Sequence, residues 1–106
     1  MAKYMLLYTG GMGMAASPDV QQEVMADWGA WYEKMGASIV DGGAPFGDAK
    51  SVTTDGIADG PMGTAATGYT LLEAESLDAA ASACTDHPHI KHGGQVQVYT
   101  CIDMGA

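Results

Sequence analysis

The chain has 106 residues, of which 47% are hydrophobic, so we expect one folded domain spanning residues 1–106 rather than a disordered segment. This length is too short for a dinucleotide domain with two doubly wound halves or for an eight-stranded barrel. Thirteen acidic residues against four basic ones give a net charge of -9. This excess of acid argues strongly against nucleic acid or an anionic membrane surface as a partner.

The N-terminal part of the sequence predicts a strand followed by a helix. Residues 3–9 form a nearly continuous apolar stretch with two tyrosines, which is typical of a buried strand. The run Ser17-Pro18-Asp19 places a capping serine, a proline and an acid where a helix begins. The apolar residues that follow recur at helical spacing up to Gly36; they are Val20, Val24, Trp28, Trp31 and Met35.

The rest of the chain predicts four strands and one helix. The helix begins at the capping residue Ser76, runs to about Cys84 and cannot extend through Pro88. Residues 55–67 are rich in glycine and predict irregular structure. The strand candidates are residues 38–40, 51–54, 68–74 and 95–102. With the short candidate at residues 51–54 left out of the count, the order β-α-β-β-α-β favours an α+β, ferredoxin-like fold, in which an antiparallel sheet carries both helices on one face.

The alternation of residues in the last two long strands indicates which face of the sheet is covered. We expect the more apolar set to face the helices; it comprises Thr70, Leu72, Ala74, Val96, Val98, Thr100 and Ile102. The opposite face then carries Tyr69, Leu71, Glu73, Gln95, Gln97, Tyr99 and Cys101. A sheet face of this mixed character needs a cover, and a second copy of the chain would supply one, so we expect a homodimer.

Several segments resemble the YCII-related (YciI-like) family, in its DGPF-type branch. The segment Asp86-His87-Pro88-His89-Ile90-Lys91-His92-Gly93 and the strand after it are similar to the closing stretch of that family. The opening strand, Lys3-Tyr4-Met5-Leu6-Leu7-Tyr8, and the run Asp59-Gly60-Pro61 before Gly68-Tyr69-Thr70-Leu71-Leu72-Glu73-Ala74 are similar as well. The resemblance covers nearly the whole chain and rests on the order and spacing of these segments.

The resemblance implies a homodimer of the dimeric α/β-barrel type with a small pocket near the interface. A few family members resemble enzymes that act on small aromatic or halogenated compounds. YciI-type members pair a histidine near the first helix with an aspartate in an Asp-Pro step before the last strand. This chain departs from that pattern, because it has Met25-Ala26-Asp27-Trp28 near the helix and His87-Pro88 at the late step, with Asp86 one place earlier. Met62 also replaces the phenylalanine of the DGPF motif.

The only three histidines of the chain, His87, His89 and His92, lie within six residues of one another. Three interpretations are open: a metal site, an acid–base or substrate-binding site, and an exposed loop without chemistry. The spacing is not that of a standard structural zinc site, and we expect no metal ligands and no cofactor. If the protein is catalytic, we expect His87 to carry the proton and Asp86 or Asp41 to orient it.

A second motif, residues 11–16 with Asp41 at the end of the next strand, resembles a glycine-rich dinucleotide loop. We reject that interpretation because Ser17-Pro18 starts the helix after the glycines and no second βαβ unit follows. We therefore expect a flexible connector at residues 11–16. Asp41 then has two open interpretations, a turn residue or a carboxylate of the pocket.

The functional expectation is a small, partly aromatic ligand bound on the open face of the sheet, with any reaction being cofactor-free acid–base chemistry. Trp31, Tyr69, Tyr99 and His89 are the expected lining residues. The alternative is a non-catalytic module that binds a ligand or a partner. Cys84 and Cys101 form no CxxC pair, and the N-terminal apolar run is short for a secretory signal, so we expect reduced thiols and a cytoplasmic protein.

Overall fold

A four-stranded antiparallel sheet forms one layer of the protein, and its helices form the other. The computed structural model describes residues 1–11 and 17–104, so most of the predicted connector at residues 11–16 lies outside the described residues. The strands are β1 (Ala2–Gly10), β2 (Ile39–Asp41), β3 (Lys50–Thr53), β4 (Gly56–Asp59), β5 (Ala66–Ala74) and β6 (Gly94–Thr100). The helices are α1 (Pro18–Met35), α2 (Leu77–Ala83) and α3 (Pro88–Lys91), with a 3-10 turn at Gly36–Ser38.

The sheet order is β2-β5-β1-β6, and every pairing in it is antiparallel. The two long strands β1 and β5 occupy the centre, while β2 and β6 form the edges. This α+β arrangement confirms the predicted class and is compatible with a ferredoxin-like fold. None of the described helices is both long enough and apolar enough to span a membrane.

The predicted strand at residues 51–54 lies outside this sheet, in a hairpin that the sequence interpretation missed. Strand β3 pairs only with β4, and Thr53 is opposite Gly56 across a two-residue turn. Gly56 has φ 115°, a conformation that glycine adopts readily. The Asp55-Gly56 dipeptide is a known hairpin signal, so the prediction of irregular structure after residue 54 was wrong there.

Helix α1 begins and ends where the sequence predicts. The Ser17 side chain accepts a hydrogen bond from the Val20 backbone N–H, Pro18 occupies the first turn, and Gly36 follows the last residue with φ 51°. These features satisfy a free N–H at the start and allow the chain to turn away at the end. The fixed position of α1 matters for function, because one of its faces closes a cavity over the sheet.

The core lies between the helices and one face of the sheet, as the alternation predicts for most positions; Ile102 was expected there too, but it lies beyond the end of β6 and is 79% exposed. Leu6, Leu72 and Thr70 are fully buried on this side. The buried hydrophobic residues are Tyr4, Leu6, Tyr8, Trp31, Leu72, Ala80 and Cys84. On the opposite face, Leu71 and Cys101 are only half-buried and Tyr99 is exposed. The two cysteines are free thiols, Cys84 directly after α2 and Cys101 directly after β6.

Candidate functional site

A cavity of about 570 Å³ lies between α1, one end of the β1–β5 pair and the segment after β2. Its lining residues are Tyr8, Gly10, Gly11, Gln21, Val24, Met25, Trp28, Tyr32, Gly42, Gly43, Ala44, Pro45, Thr67, Gly68, Tyr69, His89 and His92. Tyrosine, tryptophan and glycine dominate this set, and none of these described lining residues carries a formal charge when the histidines are neutral. The volume is typical of a small-molecule site.

One wall of the cavity is backbone pressed flat against β5. A Cβ atom at Gly43 would lie 1.7 Å from the Tyr69 carbonyl oxygen, and Gly43 has φ 76°, so only glycine fits there. Pro45 forms an isolated antiparallel bridge with Gly68. The segment after β2 therefore has a fixed position over β5, and the space between it and α1 stays open.

A buried cluster of Tyr8, Thr70 and His87 lies next to this cavity. His87 has no exposed surface, and its Nε2 atom is 3.0 Å from the Tyr8 hydroxyl. Its Nδ1 atom accepts a hydrogen bond of 3.0 Å from the His89 backbone N–H, so His87 is the N-cap residue of α3. Because Nδ1 accepts, the proton of the neutral ring is on Nε2, which donates to Tyr8.

The hydrogen bonds of the buried cluster run in one direction and end at a backbone carbonyl. The Tyr8 hydroxyl donates to Thr70 Oγ1 at 2.7 Å, and Thr70 Oγ1 donates to the Gly42 carbonyl at 3.1 Å. Tyr32 donates to the same carbonyl at 2.8 Å. The cluster therefore also fixes the glycine segment that forms one wall of the cavity.

The environment of His87 keeps its ring neutral. Burial, aided by repulsion from His89, lowers the pKa of His87 to about 4. Trp28 and Trp31 pack on the ring, with centroid distances of 4.7 and 4.3 Å. Burial likewise raises the pKa of the Tyr8 hydroxyl far above its usual range. Both groups therefore keep their protons in place at neutral pH, which suits a structural role.

His89 lies on the cavity wall in a fixed orientation. Its Nε2 atom is 2.8 Å from the Thr9 carbonyl oxygen, which can only accept, so Nε2 carries the proton. The ring occupies the space above two glycines: a Cβ at Gly94 would lie 2.1 Å from Nε2, and one at Gly11 would lie 2.8 Å from Cε1. Gly94 and Gly11 therefore make room for the imidazole.

His92 and Asp27 form a polar pair that joins α1 to the loop before β6. His92 lines the cavity, and its Nε2 atom lies 2.9 Å from Asp27 Oδ2. Lys91 Nζ also lies 2.9 Å from Asp27 Oδ2. Hydrogen bonds from His92 and then from Lys91 hold the pKa of the Asp27 carboxyl below its usual range. Asp27 is therefore ionised at neutral pH and accepts hydrogen bonds from His92 and from Lys91.

The structure does not bring together the three residues that we expected to act in catalysis. Asp86 pairs with Lys34 on the surface, whereas both side-chain hydrogen bonds of His87 go to Tyr8 and His89. Asp41 accepts from the Tyr69 hydroxyl at 3.0 Å and from the Gly43 backbone N–H at 2.9 Å, as an aspartate in a turn does. His87 contacts a cavity residue, Tyr8, but does not itself line the cavity.

Two of the four expected ligand-binding residues line the cavity, which lies on the helix-covered side of the sheet and not on its open face. These two are Tyr69 and His89. Trp31 is buried in the core, where its indole N–H donates to the Ala83 carbonyl at 3.3 Å. Tyr99 is exposed, and its hydroxyl donates to Gln97.

The sequence interpretation missed five residues of this site, namely Tyr8, Asp27, Trp28, Tyr32 and His92 as a member of a pair. Trp28 was assigned to the apolar face of α1, and Trp31 was the tryptophan expected to line the pocket. Asp27 precedes Trp28 in the sequence, and no spacing rule relates it to a histidine 65 residues later. The available signal was the concentration of all three histidines near the end of the chain, which marked the region but not the partners.

The histidines do not converge on a common point that could hold a metal ion. Within residues 1–11 and 17–104, no group of three or more His, Cys, Asp or Glu side chains has metal-binding geometry. The Nε2 atoms of His87, His89 and His92 face three different partners.

A scan of the sequence against protein-family models finds no match. A search of curated proteins finds no match either.

Proposed function

We propose that the protein is a homodimer of the YCII-related type. Each chain binds a small, uncharged, partly aromatic molecule in the cavity under α1. His92 and Asp27 supply acid–base chemistry that needs no cofactor. The observation that carries this proposal is the composition of the cavity wall. Trp28, Tyr32 and Tyr8 provide aromatic surface, and the described lining residues include no lysine and no carboxylate. An anionic or cationic ligand would lose its hydration on entering the cavity and would find no oppositely charged residue in this lining, which costs free energy.

The His92–Asp27 pair supports acid–base chemistry better than His87 does. A carboxylate that accepts from one ring nitrogen fixes the imidazole and stabilises its protonated form, and this leaves the second nitrogen to exchange a proton. The His92 side chain is 13% exposed, so it is shielded from bulk water but still accessible. Isomerisation, elimination and hydrolytic dehalogenation are reactions that one such pair can assist without a cofactor.

The pair also bears on the resemblance to the YCII-related family. The resemblance implies a histidine near the first helix and an aspartate before the last strand. Here an aspartate on α1 meets a histidine before β6, so the same two regions are joined with the residue types exchanged. This supports the family proposal, and His92, one member of the pair, lines the cavity.

The homodimer is supported by the uncovered face of the sheet. Leu7 and Leu71 are half-buried there, and Tyr99 is 51% exposed. The β3–β4 hairpin, which lies outside this sheet, exposes two further apolar side chains, Val52 and Ile57, with 73% and 72% of their surfaces exposed. A specific interface needs to bury about 1,000 Å² or more of total surface, and we expect a second copy on the open face to reach this area. The two free thiols agree with the cytoplasmic location that we propose.

A non-catalytic binding module is the second candidate, and one observation favours it. Each histidine makes a contact that stabilises the fold: His87 caps α3, His89 binds the Thr9 carbonyl, and His92 joins its loop to α1. A protein that only binds its ligand would need these contacts and no proton transfer. Turnover distinguishes the two candidates, because His92→Gln would lower a reaction rate by about 10²–10⁴ fold but would leave simple binding nearly unchanged.

Binding to the cavity can be tested with phenol, anisole and benzoate as probes, followed by NMR of the Trp28 indole N–H. We expect phenol and anisole to shift this signal and benzoate to have no effect. Val24→Trp should abolish the response because it fills the cavity, whereas Gln22→Trp, on an exposed position of the same helix, should preserve it. If no probe shifts the signal, or if Val24→Trp responds like Gln22→Trp, the binding proposal is wrong.

The dimer can be tested separately by sedimentation equilibrium at micromolar concentration. We expect a dimer for the natural sequence and a folded monomer for Leu71→Glu, since a carboxylate on the open face would be buried at the interface. Ala30→Glu, on an exposed position of α1, should remain dimeric. A monomeric natural protein would refute the dimer but not the cavity, which is formed within one chain.

A further inference from the structure

His89 differs from His87, two residues earlier, in what its second ring nitrogen meets. The Nδ1 atom of His87 accepts from a backbone N–H inside the protein. Among the residues that the structure describes, none hydrogen-bonds to Nδ1 of His89, whose only ring hydrogen bond joins Nε2 to the Thr9 carbonyl. Since Nε2 must carry the proton to make that bond, Nδ1 of the neutral ring has a free lone pair and can act only as an acceptor.

The free acceptor lies beside a residue of the cavity lining. A Cβ built at Gly11, which lines the cavity together with His89, would lie 2.8 Å from Cε1, 3.4 Å from Nδ1 and 3.6 Å from Nε2 of the ring. The Cε1 corner of the imidazole is therefore turned toward Gly11, with Nδ1 next to it. A flipped ring would place a C–H group against the Thr9 carbonyl and lose its hydrogen bond, so the orientation is set.

The acceptor is adjacent to aromatic walls. The His89 ring centroid lies 5.3 Å from that of Tyr8 and 6.3 Å from that of Trp28. An aromatic ligand that packs on these side chains would bring one of its substituents to Nδ1. A carboxylate there would meet a lone pair without a cation, whereas a hydroxyl or N–H group would donate to it.

We infer that His89 is the residue that selects the ligand, and that the ligand is an uncharged aromatic compound with a hydroxyl or N–H donor on or next to its ring. This inference rests on the proposed binding function and adds the polar group that the ligand must present. His89 acts by positioning the ligand, while the His92–Asp27 pair lies on another part of the same wall.

The test compares phenol with anisole, which is the same ring with its donor removed by methylation, at pH 8, where an ordinary imidazole is neutral. We expect the natural protein to bind phenol about 5–10 fold more tightly than anisole, as one hydrogen bond provides. His89→Phe keeps an aromatic ring against Gly94 and Gly11 but has no acceptor, whereas the amide oxygen of a glutamine would supply a new one. His89→Phe should lower phenol affinity to that of anisole and leave anisole affinity unchanged.

The outcomes separate this inference from the binding proposal. Equal binding of phenol and anisole by the natural protein, or a phenol preference that persists in His89→Phe, would overturn the role of His89 while cavity binding stands. If neither compound binds, both proposals fall. Long-range ¹H–¹⁵N correlation spectra of the free protein provide a check without a variant: we expect the His89 proton on Nε2, and a proton on Nδ1 would overturn the inference.

Discussion

The buried cluster of Tyr8, Thr70 and His87 and the two cavity histidines, His89 and His92, use the same side chain in opposite ways. His87 has both ring nitrogens engaged inside the protein and no exposed surface. The cavity histidines each bind the protein through one nitrogen and remain on the wall of an open space. Three histidines within six residues of one another therefore do not share a role. The role of each depends on how deeply its ring is buried and on how many of its ring nitrogens are hydrogen-bonded inside the protein.

The largest expected effect is on stability, from His87→Ala. The variant loses the cap of α3, removes a partner of the buried Tyr8 hydroxyl and leaves a void, which together should lower the free energy of unfolding by about 3 kcal/mol. His92→Ala, the matched variant on the cavity wall, should cost less than about 1 kcal/mol, since its hydrogen bond to Asp27 is partly exposed. Urea denaturation followed by circular dichroism measures both. Equal losses in the two variants would contradict the distinction between the two groups of histidines.

The cap itself can be separated from the rest of the His87 effect. His87→Asn keeps a short side-chain acceptor for the His89 backbone N–H. It should therefore recover about 1 kcal/mol of the loss seen in His87→Ala. If the two variants are equally unstable, the cap contributes nothing measurable and packing against Trp28 and Trp31 explains the whole effect.

The next effect is a pH dependence that distinguishes the two groups. In the unfolded chain His87 takes up a proton near its ordinary pKa of 6.5, whereas burial holds the folded value at about 4. The unfolded state therefore binds more protons between these values. The stabilisation is complete above pH 6.5 and decreases as the pH falls toward 4, by roughly 3 kcal/mol in total.

Asp27 provides the contrasting window. Its pKa in the folded protein is below the ordinary value of 3.8, so the stabilisation from this pair is present above that pH and decreases only as the pH falls below it.

Of His87 and Asp27, only His87 changes the stability between pH 6.5 and 4, so urea midpoints measured from pH 7.5 to 4.5 should decrease for the natural protein and much less for His87→Asn. A flat profile for the natural protein would show that His87 is not held neutral by burial.

The last effects concern two glycines. Gly94→Ala should cost about 1–2 kcal/mol, because its Cβ would lie 2.1 Å from His89 Nε2 and must displace the ring. Gly29→Ala, in an exposed part of α1 with nothing within 4 Å, should stabilise the protein by about 0.5–1 kcal/mol. Thermal unfolding of the two variants gives the signs directly. A neutral Gly94→Ala would mean that His89 is not held against β6.

The sequence was sufficient to predict the sheet and its covered face, because these depend on local periodicity. Alternation placed Thr70 and Leu72 on the helix side, and the capping run at Ser17 located the start of α1. The candidate site was predicted only in part, because it depends on contacts between residues far apart in sequence. The contact between Asp27 and His92 is set by how α1 crosses the sheet, which no local pattern encodes.

The same limit explains why His87 was assigned to catalysis. A histidine after a predicted helix and before a proline resembles an exposed loop residue, and its burial depends on Trp28 and Trp31 closing over it. The aspartates that we expected to orient it were chosen for their place in the sequence. In the fold Asp86 meets Lys34 and Asp41 meets Tyr69 instead.

The two neighbouring residues of β1 that hold the histidines should tolerate mutation very differently. Tyr8 contacts His87 through its side-chain hydroxyl, so a change of residue type at position 8 removes that contact. Thr9 binds His89 through its backbone carbonyl, which every amino acid possesses. A library of substitutions at the two positions should therefore leave position 8 nearly invariant and allow several small polar or β-branched residues at position 9.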